Sequence, residues 1–257
     1  MIKLKNITKF YDNKVIISDL SLDFHKGKIT SIIGANGAGK STLLALASRL
    51  IKPSSGEIYI DGMNLKNYKE QILAQKISIL KQQNNINLRL KVEELVAFGR
   101  FPHSQGRLNT NDKIKINEAL EYMELSNLRN EFLDTLSGGQ KQRVFIAMII
   151  AQDTEFIMFD EPLNNLDMKH SVQIMQLMKN LVKDFNKSIA VVLHDINFAS
   201  IYSDEIIALK DGKLLKQGSK DEIINQENLK QIYDMDIPVS QINGVGGKIK
   251  CNHRKIK

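Results

Sequence analysis

The sequence predicts an α/β fold: a mostly parallel sheet flanked by helices, with an N-terminal antiparallel β subdomain and an inserted α-helical subdomain. Three observations predict it. Short apolar runs at 29–33, 155–159 and 188–193 are each followed by helical patterning, which is how parallel strands buried on both faces read. The first 24 residues read differently: Ile2, Leu4 and Ile7, then Ile16, Ile17, Leu20, Leu22 and Phe24, suggest antiparallel strands. Between about residues 84 and 134 the spacing turns helical, through Val92, Leu95, Val96 and Gly99 and then Ile114, Ile116, Leu120, Met123 and Leu128.

The remaining elements follow in chain order. Strands are expected at 57–61, between Gly56 and Gly62, and at 76–81. A helix is expected over 140–151, and another from the three- and four-residue steps of Met168, Val172, Met175, Met178 and Val182, whose methionines read as core filler. A helix begins near Asp195, and 205–210 with 213–217 form a hairpin through Asp211 and Gly212. Beyond Ser219 the chain is helical and then irregular. Residues 1–240 are expected to form one domain, and 241–257 a basic C-terminal tail.

Composition narrows the function classes. The longest apolar run is the eight residues 144–151, against about 20 needed for a membrane helix. Residues 1–5 lack the apolar core of a signal peptide, so a cytoplasmic location is expected. Cys251 is the only cysteine, which excludes an internal disulfide and leaves zinc and thiol chemistry little support. The net charge of +7 comes from dispersed lysines that form no stripe, so a solvated basic surface is expected and no nucleic-acid partner.

The chemistry concentrates in three segments. Gly34, Ala35, Asn36, Gly37, Ala38, Gly39, Lys40 and Ser41 fit G-x-x-x-x-G-K-[ST], between the strand at 29–33 and a helix that continues through Thr42. Glycines let such a loop turn its N–H groups onto phosphate oxygens, the helix start adds partial positive charge, Lys40 reaches the terminal phosphates and the Ser41 hydroxyl can ligate Mg²⁺. In the second segment the apolar run ending at Phe159 is capped by Asp160 and Glu161, placing two carboxylates at a sheet's carboxyl edge. Asp160 is the expected Mg²⁺ partner, and Glu161 the expected general base or water-orienting group. The third is Leu136, Ser137, Gly138, Gly139 and Gln140, directly before a helix: a second helix start with amides free for an anion, or with Ser137 as its cap.

On these motifs the chain, over about residues 1–240, resembles the nucleotide-binding subunits of ABC transporters, which have a P-loop NTPase core. Residues 136–140 match that family's signature motif without departure, about 100 residues after the phosphate loop and about 20 before the Asp-Glu pair. The resemblance implies two copies packed head to tail, each ATP lying between one copy's phosphate loop and the other's signature motif. It further implies that Tyr11 stacks on adenine and that His194 touches the γ-phosphate. Gln82, with Gln83 as the alternative register, senses Mg²⁺ and the attacking water. Asp167 ends a loop communicating between the two sites. Asn164 and Asn165 stand where many members have serine and alanine, which leaves that loop's contacts open.

The segment Val92 to His103 looks like the corresponding region of importers of iron(III)–siderophores, haem and cobalamin, near the membrane-subunit interface. The resemblance thus implies an ATPase driving iron–siderophore uptake, held at the cytoplasmic face of the membrane by permease subunits and served indirectly by a substrate-binding protein. His103 has no second ligand at metal spacing, so it is not read as an iron ligand. The competing classes are haem, cobalamin or other cargo, an exporter ATPase, and a non-transport relative acting in DNA repair or translation. That last class usually carries two cassettes or a long coiled coil, and this chain has one phosphate loop and no heptad run.

Overall fold

The computed structural model describes residues 1–82, 88–164, 166–242 and 248–251. In chain order the elements are β1 Ile2–Tyr11, β2 Lys14–Phe24, β3 Ile29–Ile33, α1 Lys40–Ala47, β4 Ser55–Ile60, β5 Met63–Asn64, α2 Glu70–Ala74, β6 Ile77–Leu80, α3 Val92–Phe98, α4 Phe101–Ser104 and α5 Thr110–Tyr122. Then come α6 Gly138–Gln152, β7 Phe156–Asp160, α7 Met168–Phe185, β8 Ser188–Val192, α8 Ile196–Tyr202, β9 Glu205–Lys210, β10 Lys213–Ser219, α9 Lys220–Ile223, α10 Gln226–Tyr233, β11 Val239–Ile242 and β12 Lys248–Cys251. The chain divides into two compact units, one of residues 1–67 and 175–257, the other of residues 68–174. The helical segment expected at about 84–134 falls inside the second unit, which also includes β6, α6 and β7.

Two larger sheets draw on the first unit. One is antiparallel, in the order β2-β1-β4-β5. Its strands bury one face: Ile2, Leu4 and Ile7 are buried and Lys5 is exposed, the alternation of a sheet with one wet side. In the other, β3 runs parallel to both β8 and β9, and β10 returns antiparallel to β9. All five residues of β3 and of β8 are buried, which accounts for their unbroken apolar runs. Ile32 pairs with Val192, so β3 and β8 end level and deliver Gly34 and His194 to the same sheet edge.

The second unit pairs β6 and β7 in parallel, with Leu80 opposite Phe159. Gln82 and Glu161 each follow that pair by two residues and therefore emerge side by side. Helix α5 begins with a capping box of Asn109 and Asp112, and α6 with one of Ser137 and Gln140. At the C-terminus of α3, a Cβ on Gly99 would stand 2.1 Å from the Met148 carbonyl oxygen, so the two helices approach backbone to backbone only because residue 99 has no side chain. Of the segment tied to importers, Phe101 is 61% exposed, whereas His103 turns inward, its Nε2 3.0 Å from the Gln152 carbonyl.

The sequence reading and the structure part at the C-terminus. Instead of irregular chain, β11 and β12 form a two-stranded antiparallel hairpin, Val239 opposite Cys251. Four-residue strands of mixed Val, Ile, Lys and Cys carry too little alternation to announce themselves. The rest of the basic tail, 243–247 and 252–257, lies outside the described residues.

A buried ion pair lies in the second unit. Arg100 Nε donates to Asp112 Oδ1 over 2.9 Å, with the two side chains 4% and 1% exposed, and Arg100 Nη1 donates to the Ala151 carbonyl at 2.7 Å. Burial pushes the Asp112 carboxyl up, but the Asn109 N–H and the Arg100 guanidinium outweigh it and hold the group below its usual value. Asp112→Ala leaves the guanidinium buried without its partner and should destabilise the chain by about 3–5 kcal/mol in urea titration. The pair replacement Arg100→Met with Asp112→Leu should recover most of that loss.

Candidate nucleotide site

The phosphate loop is held open from behind. Gly34, Gly37 and Gly39 have φ values of 149°, 80° and 97°, in the region that favours glycine. A Cβ on Gly34 would stand 2.3 Å from the Leu209 carbonyl oxygen, and one on Gly39 2.6 Å from Ile17 Cδ1. A Cβ on Gly37 would meet nothing within 4 Å, so its glycine answers to backbone conformation alone. The Gly212 N–H donates to the Ala38 carbonyl at 3.3 Å, and the Ser18 N–H to the Gly212 carbonyl at 2.9 Å, tying the loop, the β9–β10 turn and β2 together. Gly212 is a support that the sequence reading assigned only to a hairpin; its signal was the Asp-Gly turn pair.

Lys40, the first residue of α1, folds back over the loop and donates from Nζ to the carbonyls of Gly34 at 2.9 Å and Ala35 at 3.0 Å. The ammonium is thus held within the curve of the loop and largely buried. Ala35, Asn36, Gly37 and Ser41 are exposed, and Thr42 is half-buried. His194 is exposed at the end of β8, level with the loop's start. Tyr11, at the end of β1, is 48% exposed, and Lys9 Nζ lies 5.0 Å over its ring.

The second unit assembles the carboxylate side. Glu161 has φ 53°, a left-handed conformation that a glutamate adopts at a cost. Its Oε2 accepts a hydrogen bond from Gln82 Nε2 at 2.6 Å and another from Asn164 Nδ2. Gln82 therefore meets Glu161 directly, as the parallel register requires; Gln83, the alternative register, lies outside the described residues, as does Asn165. Asn164 is a contact that the sequence reading left open. Asp160 sits half-buried at the end of β7.

At the start of α6, Ser137 Oγ accepts from the Gln140 N–H at 3.3 Å and the Ser137 N–H donates to Gln140 Oε1 at 2.9 Å. Gln140 is thereby engaged as half of a capping box. Ser137 and Gly138 are exposed, and a Cβ on Gly138 would meet nothing within 4 Å. Asp167 opens α7: its Oδ1 accepts the His170 N–H at 2.8 Å and lies 2.8 Å from His170 Nδ1. The His170 backbone N–H and then its ring hold the Asp167 carboxyl below its ordinary value. His170 was missed from sequence; the signal available was an acid followed three residues later by histidine at a helix start.

Residues 17–164 match the family model described as ABC transporter. The chain belongs to that family. It is an ABC ATPase, with the mixed antiparallel and parallel sheets of that fold. It is 57% identical over 95% of its length to a petrobactin import ATP-binding protein of Bacillus subtilis (strain 168), covering 96% of that protein. It is 40% identical over 89% of its length to an iron(3+)-hydroxamate import ATP-binding protein of the same organism, covering 86% of it. Among solved structures it is similar to a dimeric ATP-binding cassette in a post-hydrolysis state bound to ADP and Pi, with 35% identity, a TM-score of 0.75, and coverage of 86% of this chain and 99% of that one.

The geometry of the loop gives a test. Gly34→Ala forces a Cβ against the Leu209 carbonyl at a φ alanine resists, so ATP affinity measured by isothermal titration should fall by about tenfold or more. Gly138→Ala has room and should leave that affinity unchanged.

Proposed function

We propose that this chain is the ATP-hydrolysing motor subunit of an importer that takes up an iron(III)–siderophore complex through a membrane permease. Residues 1–240, with the helical insertion at about 84–134, act as the ATPase domain in this reading. The observation that carries it is a chain with two anion-receptive helix starts. One is the phosphate loop before α1; the other is Ser137 and Gly138, exposed and with space beside the glycine. The family resemblance pairs the second helix start with another copy's nucleotide, the head-to-tail dimer described above. The dimeric cassette with ADP and Pi supports dimerisation.

The roles follow from chemistry. Backbone N–H groups of 34–41 and the Lys40 ammonium bind the phosphates, and Tyr11 offers a flat face to adenine. Ser41, Asp160 and Gln82 supply a hydroxyl, a carboxylate and an amide oxygen, the hard donors that Mg²⁺ takes alongside substrate phosphates. Mg²⁺ there would neutralise phosphate charge.

Glu161, held by Gln82 and Asn164, orients the attacking water and takes its proton. The water oxygen bonds to the γ-phosphorus, the bond from that phosphorus to the β-bridging oxygen breaks, and ADP and phosphate leave. His194 touches the γ-phosphate and reports its presence. Asp167 joins the two sites of the dimer. ATP favours the closed dimer because it gains the second copy's Ser137, Gly138 and Gly139 only there.

In this reading the chain is held at the membrane by the permease, with a substrate-binding protein as the indirect partner; no helix among the described residues is long and apolar enough to cross a membrane. The exposed Phe98 and Phe101 belong to the segment offered to that permease. The two Bacillus relatives, named for petrobactin and iron(3+)-hydroxamate import, support an iron–siderophore cargo.

Glu161→Gln should retain ATP binding, lower turnover by about 100-fold or more, and accumulate a dimer by sedimentation with MgATP. Unchanged hydrolysis would remove Glu161 from the mechanism. Ser137→Arg fills the open helix start and should abolish both the dimer and turnover while leaving ATP binding by the single copy intact. Deleting the chain should abolish uptake of radiolabelled iron–siderophore in cells, with free-iron uptake preserved; preserved siderophore uptake contradicts the cargo reading.

A further inference from the structure

The turn that carries Glu161 is weakly braced by its own backbone. Glu161 has φ 53°, and a residue before proline favours extended backbone with negative φ, so Pro162 adds to the cost of that conformation. Proline also has no N–H to give the turn. Two of the turn's backbone bonds are long: the Asn164 N–H reaches the Glu161 carbonyl at 3.3 Å, and the Leu166 N–H the Leu163 carbonyl at 3.3 Å.

A shorter bond reaches this turn from another element of the same unit. Gln142 Nε2 donates to the Pro162 carbonyl at 3.0 Å. Pro162 is buried and Gln142 half-buried, so water competes little for that carbonyl. Gln142 is the fifth residue of α6, the helix that Ser137 caps. The division of labour is then visible atom by atom. Gln82 and Asn164 hold the Glu161 carboxylate, and Gln142 holds the backbone one residue further on. The proline ring already locks one of the dihedrals between the Glu161 Cα and that carbonyl. Fixing the carbonyl therefore leaves the peptide bearing Glu161 little freedom to swing.

We propose that Gln142 is a positioning residue for hydrolysis: from α6 it pins the Pro162 carbonyl and so holds Glu161 where its carboxylate can orient the attacking water. The inference rests on the reading of Glu161 as the water-orienting base. A carboxylate that wanders by about 1 Å can cost as much as a hundredfold in rate, so a bond that restrains its backbone acts on turnover. A bond that only satisfies a buried carbonyl would instead act on the folded fraction, leaving turnover per folded chain as it was. The phosphate loop is untouched in either case, because the bond from Gln142 goes to Pro162.

The experiment uses the full chain and reads ATP hydrolysis per folded chain, together with the affinity for a fluorescent ATP analogue. Gln142→Met keeps the side chain's length and bulk without its donor. It should lower kcat about tenfold and leave KM and nucleotide affinity within about twofold. Gln142→Lys keeps a donor of similar reach and should recover most of the rate. A double-mutant cycle then asks whether Gln142 works through Glu161. In a Glu161→Gln chain, adding Gln142→Met should change the residual single-turnover rate by less than about twofold, since the group being positioned is already gone. An unchanged kcat in Gln142→Met overturns the proposal, as does a further tenfold loss on top of Glu161→Gln, or a lysine variant no better than methionine. Should Gln142→Met fail to fold by circular dichroism, Gln142→Asn, whose amide is one methylene shorter, takes its place in the same cycle. If Glu161→Gln itself hydrolyses normally, the reading of Glu161 fails first and this inference falls with it; a dead Glu161→Gln beside a fully active Gln142→Met sinks the inference alone.

Discussion

Everything in this chain's chemistry depends on a backbone held in a conformation it would not choose. Oriented peptide N–H groups bind anions well only if they are already aimed, since aiming them at the moment of binding would consume the free energy gained. Here the aiming is done by collision and by hydrogen bonds. Leu209 leaves no room for a side chain at Gly34, Ile16 and Ile17 leave none at Gly39, and Gly212 donates to Ala38. The supports come from β2, β9 and the turn after β9. These strands are distant from the motif in sequence, and their own residues look like ordinary core. Lys40 adds the same logic for a charge: its ammonium is parked on two loop carbonyls, so little reorganisation separates its resting place from a phosphate.

Parallel pairing does the corresponding work for side chains. A one-residue slip in a parallel pair moves every side chain to the opposite face of the sheet, where a close-packed layer shaped for other side chains meets it, so strand ends are as well fixed as strand centres. Leu80 opposite Phe159 places Gln82 beside Glu161, and Ile32 opposite Val192 places His194 at the edge where the phosphate loop begins. Three or four apolar or β-branched residues per strand thus fix groups that would otherwise be loop residues with loop precision. The left-handed φ at Glu161 adds a last correction, turning the carboxylate back toward Gln82 and Asn164 directly after the strand ends.

The parts legible in the sequence were those that repeat or that obey a fixed spacing. The buried parallel strands announce themselves because both faces are dry, and the phosphate loop because its glycines, lysine and serine each answer a separate requirement of a phosphate. Ser137 and Gln140 were readable as a helix start, though the sequence could not say that Gln140 spends its side chain on the cap. Asn164 and His170 were not legible as contacts, since each acts through a pairing three residues away that ordinary turns and helix caps also use. The hairpin of β11 and β12 escaped because short polar-and-apolar strands near a terminus have no periodicity to detect. Gly99 appeared only as a member of a helical pattern; its real constraint is the Met148 carbonyl, a residue 49 positions later.

The contrast between Gly34 and Gly138 shows how a structure distinguishes a glycine kept for its own chain from one kept for another molecule. At Gly34 the neighbour that excludes a Cβ is Leu209 of the same chain. At Gly138 no neighbour within 4 Å excludes anything, and its φ is not in the left-handed range that would call for glycine. In a helix interior or first turn, glycine costs up to about 1 kcal/mol against alanine. A single chain has no use for that cost at an exposed helix start. The cost makes sense if something must come closer to the Gly138 amide than a methyl group allows, and a helix start selects an anion for that place. In the proposed head-to-tail dimer that anion is the second copy's nucleotide, and the cost of the glycine is then borne by each chain for its partner.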